Sequence, residues 1–184
     1  MGITTSGAVG RYEFTSEGSS YFREITPYDL RVPVDVKPVV AGDKLYVATS
    51  DGKLQVIDSN SLTVTSTVNL PAPATEALWV TRDTLLVQAD NKLFGFSMGE
   101  ELTEKWSVSL TGGPIVVKPT VKGDSIFTSD LSGRILSIEL ENGNLTEMAR
   151  LDVPLVLPLF TFGNEVLAAT VDGSLYRLTN LFSP

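Results

Sequence analysis

The residues of this 184-residue chain that are equipped for acid–base chemistry are carboxylates, and they come in pairs: Glu100 with Glu101, Glu139 with Glu141, and Asp29 with Asp35. Two carboxylates held close can divide the roles of general acid and general base between them. Asp58-Ser59-Asn60 starts like a calcium loop, in which oxygen ligands alternate along the chain. Neither pattern is completed. The calcium loop lacks its downstream glycine and its twelfth-position glutamate, so Asp58 reads as the head of an Asx-type turn. The acid pairs all fall at expected turns or strand ends, where a charge is solvated.

The chain has no cysteine and no histidine. Thiolate nucleophiles, disulfides, thiolate zinc sites and every mechanism based on imidazole are therefore absent. No dinucleotide fingerprint, Walker loop or Gly-x-Ser-x-Gly elbow is present. The expectation from the residues is no catalytic, no cofactor-binding and no metal-binding site, and hence no enzyme and no cofactor.

These carboxylates must sit on some framework, and the bulk properties bound it. Hydrophobic residues make up 42% and charged residues 20%, the balance of a globular domain with a core. The most apolar segment, "VPLVLPLFTF" at 153–162, is broken by Pro154 and Pro158 and is far short of the ~18 residues of a membrane span. No direct membrane insertion is expected. With 14 basic and 22 acidic residues, a net charge of −8 repels phosphate backbones, so nucleic acid is excluded as the main partner. No positive, then apolar, N-terminal segment marks a signal peptide.

One short phrase recurs four times: Ser50-Asp51-Gly52-Lys53-Leu54, Ala89-Asp90-Asn91-Lys92-Leu93, Leu131-Ser132-Gly133-Arg134-Ile135 and Val171-Asp172-Gly173-Ser174-Leu175. Each lies between β-branched or aromatic alternating runs, the pattern of a tight hairpin. Asp-Gly predicts type I′ turns at Asp51-Gly52 and Asp172-Gly173. Asp90-Asn91 fits because Asn tolerates positive φ, and Ser132-Gly133 is the weakest match. Successive phrases are 39, 42 and 40 residues apart, counted from Asp51, Asp90, Ser132 and Asp172. A second turn precedes each hairpin, at 41–44, 81–83, 122–125 and 162–165, and a third follows the first three, at 58–61, 97–100 and 141–144.

Three turns divide each period into four strands. In the first repeat these are "KPVVA", "KLYVATS", "KLQVIDS" and "TVTSTVNL". No segment keeps a 3.6-residue apolar spacing for ten residues; "MGEELTEKW" at 98–106 reads as a long turn with at most one helical turn. A four-stranded unit cannot bury both its faces alone, whereas radial stacking of such units does so. The expected fold is all-β, a β-propeller of about four four-stranded blades forming a single domain over 1–184. The repeats span 35–72, 73–113, 114–153 and 154–184, and 1–34 supplies a partial blade or closing strands.

The repeat resembles the pyrroloquinoline-quinone-type (PQQ-like) propeller family. The residues that carry the likeness are Pro38 to Asp58, then "GNEVLAATVDGSLYRL" at 163–178, and Trp106 at the place of the family's last-strand tryptophan. The matching places in other repeats, Thr67-Val68 and Ala149-Arg150, have no tryptophan. The family contains quinoprotein dehydrogenases. It also contains binding scaffolds, among them the propeller lipoprotein of the outer-membrane β-barrel assembly machinery and envelope or kinase-linked sensor domains. A quinone site would need a cation, clustered acids and an aromatic floor, for which Trp79, Trp106, Arg82 and Arg134 are the available residues. Trp79, in a first strand, is the one expected to face the propeller axis.

The segment 9–33 reads as the last two strands of a preceding blade, and the fourth repeat lacks a convincing last strand. A closed small ring, a half-propeller that dimerises to about eight blades, and a piece of a longer chain all follow from these ends; a partial or open ring is expected. The resemblance, joined to the poverty in reactive groups, implies a non-catalytic scaffold for protein or peptide partners, including a second copy of the chain. A periplasmic or cell-envelope setting goes with it. A degenerate quinoprotein dehydrogenase and a small-ligand sensor domain are the alternatives.

Overall fold

A computed structural model of the chain describes residues 2–14, 22–99, 101–162 and 165–179. Glu100, the turn residues Gly163 and Asn164, and the tail from 180 onward lie outside the described residues. Among the described residues there is no helix, and all regular structure is antiparallel strand.

Five separate sheets follow one another along the chain, each a simple meander. The first holds β1 (Gly2–Ile3), β2 (Ala8–Phe14) and β3 (Phe22–Asp29). The second holds β4 (Val39–Ala41), β5 (Lys44–Ala48), β6 (Lys53–Asp58) and β7 (Val64–Asn69). In the third are β8 (Trp79–Thr81), β9 (Thr84–Ala89), β10 (Lys92–Met98) and β11 (Leu102–Ser109). The fourth comprises β12 (Thr120–Lys122), β13 (Ser125–Ser129), β14 (Arg134–Glu139) and β15 (Leu145–Arg150). The fifth has β16 (Phe160–Phe162), β17 (Glu165–Ala169) and β18 (Leu175–Leu178). Within the segment 98–106, β10 ends at Met98 and β11 begins at Leu102, with no helical turn among the described residues.

Packing follows from strand alternation. Side chains along a strand point alternately to the two faces, so a strand that is apolar at consecutive positions must be covered on both. In β5, Leu45 and Val47 enter a cluster with Val9 and Val34, between the first and second sheets. Tyr46 and Ala48 enter another with Leu85, Val87 and Phe96, between the second and third. Leu86 and Leu93 meet Ile115, Ile126 and Ile138 between the third and fourth, and Phe127 and Ile135 meet Leu155, Val166 and Ala168 between the fourth and fifth. Four apolar clusters thus fill the four gaps between five sheets. This is a partial propeller, an open arc of blades.

Among the described residues the first and fifth sheets hold three strands each, and not the same three. In the second, third and fourth sheets the outer pair carries a β-bulge, at Val56/Ile57, Gly95/Phe96 and Ile135/Leu136. The β2–β3 pair carries the same bulge at Arg11/Tyr12. The Leu30 amide donates to the Gly7 carbonyl just as Leu70 does to Gly52, Leu110 to Asn91 and Leu151 to Gly133. The first sheet therefore supplies second, third and fourth strands, one more than the two read from the sequence; β1 is only two residues long. The fifth sheet supplies a first, second and third strand. Six strands overlap too far to merge into one four-stranded blade.

The four hairpins divide three to one, and not as Asp-Gly alone suggests. At Asp51-Gly52, Ser132-Gly133 and Asp172-Gly173 only the glycine has positive φ, at 80°, 79° and 84°. Each is a three-residue loop, closed by Thr49 N–H to the Lys53 carbonyl and its counterparts Asp130 to Arg134 and Thr170 to Ser174. A type I turn followed by a left-handed glycine gives this geometry. Asp90 and Asn91, at φ 47° and 55°, form the two-residue turn with both residues left-handed, between paired Ala89 and Lys92. The longer loops are anchored by the incoming linker: Ser50, Leu131 and Val171 donate their amides to the carbonyls of Pro33, Pro114 and Pro154 at 2.9–3.0 Å.

Trp106 locks the third sheet to the fourth. Its indole N–H donates to the Leu140 carbonyl at 2.9 Å, and the ring lies over Gly95 of its own sheet and Gly143 of the next. A Cβ on Gly95 would stand 2.3 Å from the ring, inside any tolerable contact. We expect Gly95→Ala to cost about 1–3 kcal/mol by overpacking and Trp106→Ala about 3–5 kcal/mol by leaving a cavity. The double variant should cost less than the sum, because both substitutions act on one volume; urea unfolding at unchanged m-value checks this.

Candidate functional site

The residues the sequence offers for a quinone site do not converge. Trp79 and Trp106 are both buried in the apolar cluster between the third and fourth sheets. Arg82 reaches from the turn before β9 to the Asp124 carboxylate, 2.8 Å away, and to the Gly123 carbonyl, fastening the third sheet to the fourth. Arg134 lies at the opposite end of its strand pair, on Asp130. Each is engaged in holding neighbouring segments together.

The acid pairs disperse in the same way. Glu139 accepts from the side-chain amides of Asn142 and Asn144 within its own turn, at 2.7 and 3.4 Å. Asp29 accepts the Arg31 amide at 2.8 Å, and Glu101, Glu141 and Asp35 are exposed. Among the described residues no group of three acidic, His or Cys side chains is placed to hold a metal ion. Asp58 accepts from the amides of Asn60 and Ser61 and from the Ser61 hydroxyl, so its loop is an Asx turn.

A buried ion pair that no sequence motif marks joins Asp130 to Arg134. Asp130 is fully buried; one carboxylate oxygen accepts from the Ser132 amide and hydroxyl and from the Arg134 amide, and the other from Arg134 Nε at 2.6 Å. Arg134 continues to the Thr111 hydroxyl at 3.0 Å. A Cβ on Gly112 would strike the Asp130 carboxylate, so the linker between the third and fourth sheets lies directly over the pair. Sequence gave a weak signal, since Asp130 takes the place of Thr49 and Thr170.

Among the described residues, several surfaces are not consumed by packing, and three of them bear on recognition. Near the hairpin end, a cleft of about 400 Å³ is lined by Pro73, Thr75, Glu76, Asp90, Asn91 and Pro114. The buried Gln88 lies under it: its amide nitrogen donates to the Thr75 hydroxyl, and its oxygen accepts the Ile115 amide. On the inner side, first-strand residues of the second and third sheets and Lys118 of the fourth border a cleft of about 410 Å³. Trp79 contributes to this wall, as expected of a first-strand residue, while also packing between sheets. The outer face of the fifth sheet is bare: Phe162, Leu175 and Phe160 are 77%, 68% and 50% exposed. The register sets Phe160 beside Leu167 and Ala169 beside Leu175 on that face.

Residues 28–154 match the family model of the outer membrane protein assembly factor BamB. The chain belongs to this family. Among solved structures it is similar to BamB from Moraxella catarrhalis, with a TM-score of 0.74 and 17% identity over 96% of this chain and 53% of that one. It also resembles two computationally designed proteins at 13% identity. Ika8 has a TM-score of 0.66 over 85% of this chain and 48% of its own, and Ika4 0.61 over 79% and 92%. At these identities the likeness is one of fold. No curated protein matches the chain in sequence. The chain spans about half the length of the Moraxella BamB.

The BamB-type repeat aligns the blades residue by residue through the leucine amides at 70, 110 and 151, which bond the hairpin carbonyls. Four residues before these leucines stand Ser66, Trp106 and Glu147. In the register Gly95 faces Trp106, and the equivalent Val56 and Ser137 face Ser66 and Thr146, so the tryptophan place lies there in the flanking blades, not at Thr67-Val68 and Ala149-Arg150. In the fourth blade the bulge falls nearer the hairpin, at Ile135/Leu136, than at Val56/Ile57 and Gly95/Phe96 in the second and third, so residue spacing alone does not mark the equivalent position. Ser66 still reaches the next sheet, accepting the Leu102 amide at 3.4 Å.

Arg134→Ala leaves the Asp130 carboxylate buried opposite no cation, and we expect a loss of about 3–5 kcal/mol. Removing both charges together should cost less than the sum of the single losses, measured by urea unfolding. A second expectation concerns acid. Asp58 is held below the usual carboxylate range by the Ser61 amide and hydroxyl, Asp51 by Lys53 and Thr49, and Asp172 by the Thr170 hydroxyl and the Ser174 amide. These groups bind protons less readily folded than unfolded. Their contribution is complete above about pH 4, the unfolded value, and is lost as pH falls below it. The thermal midpoint should therefore drop on acidification below about pH 4, and Asp51→Asn with Asp172→Asn should flatten that dependence.

Proposed function

We propose that this chain is a non-catalytic scaffold that binds proteins or peptides in a bacterial envelope. The observation that carries the reading is the bare outer face of the fifth sheet. In the second, third and fourth sheets the corresponding face is covered by the next sheet, through residues such as Leu85, Ile126 and Val166. Phe160, Phe162 and Leu175 present the same kind of apolar surface to solvent. Contiguous apolar surface of this sort marks a place of association. Its natural cover is another sheet of the same kind, and the occupant we propose is a second copy of the chain extending the ring.

The family supports the scaffold and the setting, since its model is that of an outer membrane protein assembly factor. The enclosure of Trp79 and Trp106 in one apolar cluster, and the engagement of Arg82 and Arg134 on separate carboxylates, support the non-catalytic part. Size-exclusion chromatography with light scattering tests the association. We expect the wild type to self-associate with concentration, and Phe162→Asp with Leu175→Asp to be monomeric. A wild type that stays monomeric up to high concentration, and whose captured partners from envelope extract are unchanged by the two substitutions, overturns the reading.

A further inference from the structure

The inner cleft carries an electrostatic feature that the rest of the surface contradicts. The chain bears a net charge of −8, with 22 acidic residues. Yet the residues bordering this cleft include Lys37 and Lys118 and no carboxylate. The two lysines occupy the same place in repeats two apart, each directly before a proline, Pro38 and Pro119. Ala77 holds that place in the repeat between them. Both lysines are exposed, and neither is paired with any described residue. Ammonium groups set at intervals in a negatively charged molecule raise the local concentration of anions.

The floor between them is apolar, formed by Val39, Val40, Trp79 and Val80. Val40 is 58% exposed there, although it stands in a strand. β4 and β8 terminate their sheets, so each turns an unpaired row of backbone amides and carbonyls away from the rest of its blade. Such an edge pairs with an added strand. A volume of about 410 Å³ accommodates several side chains, far more than one phosphate group. Cations at intervals, an apolar floor and free strand edges together match an extended peptide with alternating acidic and aliphatic residues.

We propose that the inner cleft binds an acidic peptide segment in extended form, its carboxylates on Lys37 and Lys118 and its aliphatic side chains on the Val39–Trp79–Val80 floor. This rests on the scaffold reading and names a partner class for a second surface. It is independent of the bare face of the fifth sheet. The probe is a fluorescein-labelled, N-acetylated Glu-Leu-Glu-Leu-Glu amide, followed by anisotropy on the full chain. We expect saturable binding, weakened at least tenfold in the variant Lys37→Glu/Lys118→Glu and weakened by added salt. Lys92→Glu, an exposed lysine outside the cleft, should leave the affinity within twofold. Phe162→Asp with Leu175→Asp should not affect it either, so the two readings fail separately. Absence of saturable binding overturns the proposal, as does binding insensitive to the double charge reversal. Competition by inorganic phosphate or by phosphatidylglycerol vesicles at concentrations where an uncharged Gln-Leu-Gln-Leu-Gln peptide does not compete would show a site for phosphate groups, and would likewise overturn it.

Discussion

Each middle sheet of this molecule is apolar on both faces, and nothing else about its structure matters as much. In β5 the neighbours Leu45 and Tyr46 go to different cores, as do Leu85 and Leu86 in β9, and Ile126 and Phe127 in β13. Pleating makes that division unavoidable. A two-layer sandwich satisfies one apolar face per sheet and leaves the other in water. Stacking blade upon blade satisfies both, at the cost of leaving a bare face wherever the stack stops. Phe160 and Phe162 of the fifth sheet lie on a face that no described sheet covers.

Apolar faces alone would let the blades slide, and directed contacts prevent this. The prolines at 33, 114 and 154 present carbonyls to hairpin amides, which holds each linker against the blade it leads into. Lys44 donates to the Gly99 carbonyl across the second and third sheets, and Arg82 and Trp106 span the third and fourth. Where the family tryptophan is missing, smaller polar groups take its place, as Ser66 does with the Leu102 amide. Hydrogen bonds of this kind contribute modestly to stability, but leaving buried amides unmade would be costly. Orientation of the blades is therefore set by polar groups and their attraction by apolar ones.

Reactive side chains are drawn into this framework. The most enclosed carboxylate, Asp130, is saturated by its own hairpin and by Arg134. Arg82, Arg134, Trp106 and the turn acids Asp51 and Asp58 are likewise engaged in structural contacts. What is left for recognition is surface: the bare sheet face, the inner cleft, and the cleft near the short hairpin. These places are where the repeat departs from itself. Alanine replaces lysine at 77, and a two-residue turn replaces a three-residue one at Asp90-Asn91.

Much of the fold was legible because its determinants are local. Alternating runs, turn residues and a period near forty specify four-stranded units whatever surrounds them, and the −8 charge with no His or Cys narrows the chemistry directly. The uneven spacings of 39 and 42 around Asp90 even hold the trace of the shortened loop. Tertiary structure alone decided the rest. Ser50, Leu131 and Val171 each meet a proline seventeen residues earlier in sequence, and those contacts, not the Asp-Gly pair, go with the longer turn. Lys37 and Lys118, 81 residues apart in sequence, share a cleft only because the arc brings their first strands to one inner side. A strand's composition states which faces must be covered; which distant groups become neighbours depends on the curvature that the covering produces.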